Sequence, residues 1–296
     1  MTTNTAPGTP PRAGTDPHLA VTAALAGADI VRSLCGTHVS RVDKGAGDFA
    51  TAADIAAEQA IVDLLRSARP DDAVTGEESG RTGADRAERR WLVDPLCGTL
   101  NYAAGNLAVA VNVALRTGDR TSAAAVADPF TGDVFWTDGT GAYVRRGAAA
   151  TFGTAAPAGV SETAVETAVP SPGTCLVDVN LDPPFPHAPA FRAVDLLAAP
   201  GFAARFRPRV VSTTLAVAWV ASGQRAGYVT DGGDLRGSVH FAAGIALCEA
   251  AGCVVTGVDG RPLDTSTGGL VAAADADTHA ALVEAIRGGE RLRSGA

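Results

Sequence analysis

The chain has 296 residues, enough for two domains or one large α/β unit. Hydrophobic residues make up 46% and charged residues 19%, which excludes a disordered chain. The balance of 24 basic against 32 acidic residues gives a net charge of −8, and no basic stripe breaks it, which argues against a nucleic-acid or anionic-membrane partner. Five scattered cysteines and the lack of a long apolar run predict a protein of the reducing cytoplasm.

The first part of the chain predicts a tail followed by two helices. Residues 1–16 are rich in Thr, Pro and Gly and have no apolar period, so we expect a mobile tail. Helical spacing of apolar residues begins at Pro17, with Asp16 as a candidate N-cap. A second helix is predicted over 53–67. Its expected apolar face comprises Ile55, Ile61, Leu64 and Leu65.

The remaining elements alternate between strands and helices. Four short apolar runs bounded by Gly, Asp and Pro predict strands over 91–95, 107–115, 122–129 and 133–137. After a connector at 150–172, the expected elements are a strand at 174–179, helices at 188–198 and 213–222, a strand at 226–229 and a helix at 239–251. This alternation predicts an α/β or α+β sandwich. We divide it into an N-terminal half, 17–150, and a C-terminal half, 151–296.

Four segments in fixed order carry the polar motifs of the chain. They are DFATAAD (48–54), GEESG (76–80), WLVDPLCGTLNY (91–102) and SVHFAAGIALCEAAGCVV (238–255). Together with the strand and turn pattern of 126–147, they resemble the inositol monophosphatase superfamily of metal-dependent phosphatases. The resemblance implies a layered αβαβα sandwich of the α/β class, a site at the seam between the two halves, and often a homodimer.

The resemblance also implies which residues hold the metal ions. Glu77, Asp94 and the carbonyl of Leu96 match ligands of the family. Two further ligands should be aspartates, but the sequence has Cys97 and His240 at those positions. Both departures fall on ligands of the same implied metal position, so that position must either have changed its metal or lost it.

Three interpretations of this double replacement remain open. The chain is a catalytically dead phosphatase kept as a partner subunit, or it holds a different metal. In the second case Glu77, Asp94, Cys97 and His240 form a mixed set that suits zinc or iron rather than magnesium. In the third, Cys97 is a nucleophile that needs no metal and no other cofactor, because a neighbouring imidazole draws off the thiol proton.

The third interpretation requires a carboxylate that orients the imidazole of His240. Asp94 lies three residues before Cys97, whereas Asp128 ends a strand that should run back toward the same site. We favour Asp128, because it can approach from another direction. The backbone N–H groups of Gly98 and Thr99 are candidates for binding an oxyanion.

A Cys, His and Asp set suits acyl transfer from a thioester. The arrangement of Cys97, Asp128 and His240 looks like that of the Dieckmann cyclases, which take an acyl chain from an acyl or peptidyl carrier protein and close a tetramic acid or pyridone ring. The chemistry would require no cofactor. Tyr228 and Phe241 are candidates for lining the substrate pocket.

Two further groups of residues have alternative interpretations. Asp54 and Thr99 match family positions that orient the attacking water, and they also fit a helix cap and a turn hydrogen bond. Three alternating arginines indicate either a solvated loop or a docking site for an acidic carrier protein. They are Arg205, Arg207 and Arg209.

Overall fold

The computed structural model divides the chain into two compact units between Thr167 and Ala168, here called the first and the second unit. The structure describes residues 10–36, 41–45, 48–84, 86–147, 164–181 and 192–294. The boundary expected between residues 150 and 151 lies outside these ranges, as do residues 1–9 of the predicted tail.

The first unit is built around an eight-stranded sheet. Its elements are α1 (Asp16–Leu34), β1 (Arg41–Gly45), β2 (Asp48–Thr51), α2 (Ala52–Ala68), β3 (Ala73–Gly76), β4 (Gly80–Thr82), β5 (Arg89–Cys97), α3 (Thr99–Ala103), β6 (Ala110–Thr117), β7 (Arg120–Ala127), β8 (Val134–Thr137), β9 (Ala142–Arg145) and β10 (Val165–Thr167). The strand order is β10-β9-β8-β7-β6-β5-β3-β4, and β1 pairs with β2 separately. Only the β3–β5 pair of the large sheet is parallel.

The apolar faces of α1 and α2 pack on this sheet and form one core with it. Helix α1 begins at Asp16 with Thr15 as its N-cap, one residue earlier than the sequence predicts. In α2, Ile61 and Leu65 are fully buried and Leu64 is half-buried, as expected. Ile55 is 47% exposed, so its predicted place on the apolar face was wrong. At about 100° per residue it lies roughly 120° around the helix from Ile61.

Glu58 of α2 holds the turn that follows β3. Its buried carboxylate accepts hydrogen bonds from the N–H groups of Glu78, at 2.8 Å, and Ser79, at 2.7 Å. A Cβ on Gly76 would lie only 2.5 Å from this carboxylate, so a larger residue there would displace Glu58 from the turn. The GEESG motif is therefore tied to α2 by one buried acid.

The second unit contains a five-stranded sheet. Its elements are β11 (Leu176–Asn180), α4 (Ala193–Ala198), α5 (Pro200–Arg205), β12 (Arg207–Val210), α6 (Leu215–Ala221), β13 (Gly227–Thr230), α7 (Ala242–Ala251), β14 (Val254–Thr256), β15 (Leu270–Ala273) and α8 (Ala276–Ser294). The strand order is β12-β11-β13-β15-β14, with the first three strands parallel. The mixed α/β class is confirmed, whereas β15 and α8 were not predicted from the sequence.

Two loops of the second unit support each other. The N–H of Gly269 donates to the carbonyl of Gly233 at 3.1 Å. Gly268 has a φ of 114°, and a Cβ there would lie 2.4 Å from the oxygen of Gly232. The close approach of these backbones fixes the start of the loop that leads to α7. No helix in the described ranges combines the length and the apolar character that crossing a membrane requires.

Asp259 organises one of these two loops. Its carboxylate accepts hydrogen bonds from the N–H groups of Arg261 and Thr267, both at 3.0 Å, and pairs with the Arg261 guanidinium. Partial burial alone would raise the pKa of Asp259, but these hydrogen bonds outweigh it and lower the pKa to about 2. The ionised form is therefore favoured in the folded protein.

We expect Asp259→Asn to reduce the free energy of unfolding by about 2 kcal/mol at pH 7. The folded pKa lies below the unfolded value of 3.8, so the contribution is complete above about pH 4 and is lost as the pH falls toward 2. Urea titrations at pH 7, 4 and 2.5 measure the difference in the free energy of unfolding between the variant and wild type, which should become smaller as the pH falls. Asp264→Asn, an exposed substitution in the same loop, is the control. A difference that stays constant with pH would contradict this account.

We expect Glu58→Ala to destabilise the protein by about 3 kcal/mol, because it removes two charge-assisted hydrogen bonds and leaves two backbone donors without their acceptor. Chemical denaturation of the purified variant measures the loss. Gln59→Ala, at the neighbouring exposed position, should change stability by no more than a few tenths of a kcal/mol. Equal effects of the two substitutions would refute the role of Glu58.

Candidate active site

Asp94 lies in the middle of the motif segment in β5 and is completely buried. Its Oδ1 accepts a hydrogen bond from the N–H of Leu96 at 3.1 Å, and its Oδ2 lies 3.4 Å from Nδ2 of Asn112 on β6. The strand register shifts between Asp94 and Cys97, which lets the chain bend at this point. Through these contacts Asp94 stabilises the conformation of its own loop.

Cys97 is the last residue of β5 and is half-buried. The next residue, Gly98, has a φ of 101°, in the left-handed region that only glycine adopts without strain. This turn ends the strand and starts α3 at Thr99. The thiol therefore sits on a sharp strand-to-helix turn, followed directly by two backbone N–H groups.

Asp54 and Thr99 form a hydrogen-bonded pair next to this turn. Oγ1 of Thr99 lies 3.0 Å from Oδ1 of Asp54 and 3.1 Å from the carbonyl of Leu96. Asp54 also accepts from the N–H and the hydroxyl of Thr51, in a capping box at the start of α2. Burial raises the pKa of Asp54, against the opposing effect of these hydrogen bonds. The predicted cap and turn roles are confirmed.

Asp128 lies at the end of the large sheet where Cys97 also lies. Cys97 pairs with Ala110 across β5 and β6, and Val111 pairs with Ala127 across β6 and β7. Asp128 follows Ala127, so it stands two strands away from Cys97, a backbone separation of about 10 Å. The expectation that β7 runs back toward the end of β5 is confirmed.

Only one oxygen of Asp128 is used by the local turn. Oδ1 accepts hydrogen bonds from the N–H groups of Phe130, at 2.8 Å, and Thr131, at 3.1 Å. Within the described parts of the chain, Oδ2 accepts none. The carboxylate is thereby fixed in orientation while its second oxygen remains available to another group.

Glu77 lies beside Asp94 across the parallel β3–β5 pair. Gly76 is paired with Val93, and the N–H of Glu77 donates to the Val93 carbonyl at 3.1 Å. Within the described residues of either unit taken alone, no three carboxylate, thiol or imidazole groups lie close enough together to bind one metal ion. Glu77, Asp94 and Cys97 do not by themselves form a three-ligand metal site.

His240 belongs to the second unit and lies in the turn before α7. It is half-buried, and its backbone N–H donates to Oγ of Ser238 at 3.2 Å. Phe241, the next residue, is buried against Tyr228 of β13, with ring centroids 6.3 Å apart. The pocket role of these two aromatic residues stays a prediction, and so does the pairing of His240 with Cys97.

Sequence reasoning missed Glu58, which holds the loop of the second motif. A signal was present, because Glu58 follows Asp54 by four residues and so lies on the same face of α2. Two acids on the buried face of a helix indicate that backbone groups nearby need acceptors.

Comparison with known proteins relates this chain to phosphatases and to SuhB. The model of the inositol monophosphatase family matches residues 17–290. The inositol-1-monophosphatase of Caulobacter vibrioides is 31% identical over 249 residues, which are 82% of this chain and 89% of that protein. The Nus factor SuhB of Escherichia coli K12 is 37% identical over 108 residues, which are 36% of this chain and 40% of that protein.

Solved structures show the same fold. The extragenic suppressor protein suhB from Bartonella henselae superimposes with a TM-score of 0.73 at 25% identity, covering 91% of this chain and 97% of that one. The Thermotoga maritima IMPase TM1415 gives a TM-score of 0.72 at 18% identity, covering 92% of this chain and 96% of that one. With its order of motifs, its sheets and the match over most of its length, this chain belongs to the inositol monophosphatase family.

Proposed function

We propose that this family member transfers acyl groups through Cys97, as a Dieckmann-type cyclase of carrier-bound thioesters. One observation carries the proposal: a thiol and an imidazole stand at the two positions where the family resemblance implies aspartate ligands of one metal ion. A single loss would be enough to abolish a metal site. The combination of Cys97 with His240 instead supplies a nucleophile and a base.

Magnesium does not fit this set of side chains. It prefers oxygen ligands, and carboxylates in particular, whereas Cys97 offers sulfur and His240 offers nitrogen. Asp94 is in addition bound to its own loop through Leu96. The proposed acyl transfer therefore involves no magnesium ion.

A thiol and an imidazole that replace ligands of one cation are expected to meet. Ligands at about 2.0–2.1 Å from a common ion lie within about 4 Å of one another. Without the ion, the imidazole of His240 can accept the proton of the Cys97 thiol and favour the thiolate. The half-buried position of Cys97 on a strand-to-helix turn suits a nucleophile, because substrate can approach it.

The first half-reaction moves the acyl group to the enzyme. His240 takes the thiol proton, and the sulfur of Cys97 attacks the carbonyl carbon of the carrier thioester. In this proposal the N–H groups of Gly98 and Thr99 donate to the resulting oxyanion. The carbon–sulfur bond to the carrier then breaks, and the departing carrier thiolate takes the proton from the imidazolium.

The second half-reaction closes the ring. Neutral His240 takes a proton from the acidic carbon between two carbonyl groups of the acyl chain. The carbanion attacks the carbonyl of the acyl-Cys97 thioester, a carbon–carbon bond forms, and the Cys97 thiolate leaves and is protonated by the imidazolium. No oxidant, reductant or cofactor is required, and a tetramic acid or pyridone ring is the product class.

A second candidate is a phosphatase that uses zinc or iron. The adjacent Glu77 and Asp94 and the hydrogen-bonded pair of Asp54 and Thr99 favour it, because all four match positions used by the family for metal binding and for orienting water. Cys97 and His240 suit a softer metal. This candidate keeps the phosphatase activity for which the Caulobacter relative is named.

We expect wild-type protein incubated with β-ketoacyl pantetheine thioesters to gain an acyl adduct, visible by intact mass spectrometry. Cys97→Ala should gain none, and His240→Ala should slow its formation by about 10²–10⁴-fold. Cys175→Ala is the control, because Cys175 is an exposed thiol far along the sequence from the site. An adduct that depends on Cys175 would refute the assignment. Stoichiometric zinc or iron together with chelator-sensitive phosphatase activity would establish the second candidate instead.

We expect Asp128→Asn to lower the acylation rate about 10-fold or more without loss of stability. The amide oxygen of Asn keeps the hydrogen bonds to Phe130 and Thr131, while the amide nitrogen that replaces Oδ2 is a donor and could not accept a hydrogen bond from the imidazole that we propose Asp128 orients. Stopped-flow acylation and thermal unfolding measure the two effects separately. An unchanged rate would assign the orienting role to Asp94 or to no carboxylate.

A further inference from the structure

Two arginines stand on one face of an edge strand in the second unit. Strand β12 is the outer strand of the five-stranded sheet, and Arg207 and Arg209 on it are both exposed. They pair in register with Leu176 and Asp178 of β11. Because alternate residues of a strand point to the same face, the two guanidinium groups leave the sheet on one side, about 7 Å apart along the strand.

A third arginine adds to the same face. Asp178 is completely buried, and its Oδ2 accepts from Nε of Arg225 at 2.7 Å. The guanidinium of Arg225 also lies 4.5 Å from the ring centre of Trp219, which fixes its position. We call Arg207, Arg209 and Arg225 the basic patch. Since Asp178 offsets only one of these three charges, the patch keeps a net charge of about +2.

Neither exposed member of the basic patch forms a hydrogen bond or a close ion pair with a carboxylate in the described ranges, although the charge of Arg209 does act on the buried carboxylate of Asp178. Arg207 and Arg209 donate only to backbone carbonyls, those of Phe206 and Pro208. Most other arginines with hydrogen-bonded side chains, such as Arg89, instead contact a carboxylate. Arg207 and Arg209 thus add two positive charges to one surface of a chain whose net charge is −8.

Arg205 does not belong to the basic patch, although the sequence groups it with Arg207 and Arg209. It ends α5, stacks on Phe206, and donates to the carbonyl of Asp277 at the start of α8. The predicted loop over these arginines is also corrected, because residues 207–210 form a strand. Only the last two arginines of the trio are presented together on a regular surface.

Protection of the sheet edge is the competing explanation for these charges. Charged side chains and prolines such as Pro208 keep an edge strand from pairing with other chains. A negative charge protects an edge as well as a positive one does. Reversing the charge of Arg207 and Arg209 therefore preserves edge protection and removes only the attraction of a negatively charged partner.

We propose that the basic patch docks an acidic carrier-protein domain that delivers the acyl thioester. This inference rests on the proposed function, since an acyl transferase acting on carrier-bound chains needs a surface that recognises the carrier. On an otherwise acidic protein, a positively charged surface attracts an acidic partner, while the negatively charged remainder of the protein repels it. The patch supplies that sign at a point that the fold holds rigidly through Asp178 and Trp219.

The test compares Arg207→Glu/Arg209→Glu with Arg12→Glu/Arg120→Glu. The second pair makes the same change in charge at exposed arginines of the first unit. Binding of fluorescein-labelled holo acyl carrier protein is measured by anisotropy in the Cys97→Ala background, so that binding is read without acyl transfer. Acylation of Cys97 is measured separately with carrier-bound and pantetheine-bound thioesters of the same acyl chain.

We expect the patch variant to bind the carrier at least 10-fold more weakly and to lower the ratio of carrier-bound to pantetheine-bound rates by a similar factor. Wild-type binding should also weaken with added salt. Equal carrier binding by both variants would overturn the proposal, and so would a wild type that binds single-stranded RNA at the patch and no carrier. If neither thioester acylates wild type, the proposed function fails, while the anisotropy result still decides on docking.

Discussion

Buried carboxylates that accept backbone N–H groups hold the motif loops of the first unit in place. Glu58 anchors the turn after β3, Asp94 anchors the bend in β5, and Asp54 caps α2 and reaches Thr99. Each carboxylate is removed from water, so its cost of burial is offset only if these hydrogen bonds form. These hydrogen bonds therefore favour one conformation of each motif loop.

This arrangement explains how the chemistry of the family can change while the fold does not. Asp54 and Asp94 contribute hydrogen bonds to the turn around Cys97. Cys97 itself is the last residue of β5 and is half-buried. A substitution at this position changes the side chain at the end of β5 and leaves both supporting carboxylates intact.

The proposed chemistry depends on two charged groups that hydrogen bonds or ion pairs hold in place, the carboxylate of Asp128 and the basic patch. Asp128 keeps one oxygen on its own turn and offers the other, so that a ring bonded to it would have a fixed orientation. The basic patch is held in a similar way, because Arg225 is fixed by Asp178 and Trp219 while Arg207 and Arg209 extend from an edge strand. The turn hydrogen bonds of Asp128 and the Asp178–Arg225 pair thus each position a charged group that can bind a further partner.

The sequence by itself determined the family, the mixed α/β class, most of the strands and helices, and the replacement of two implied ligands by Cys97 and His240. These features follow from short-range patterns of apolar and polar residues and from the order of motifs. Only the tertiary structure decided that Glu58 anchors the second motif, that Ile55 faces outward, and that Arg205 is separate from Arg207 and Arg209. Such outcomes depend on which distant backbone groups need a partner and on which face of an element is covered, and neither is encoded in local spacing.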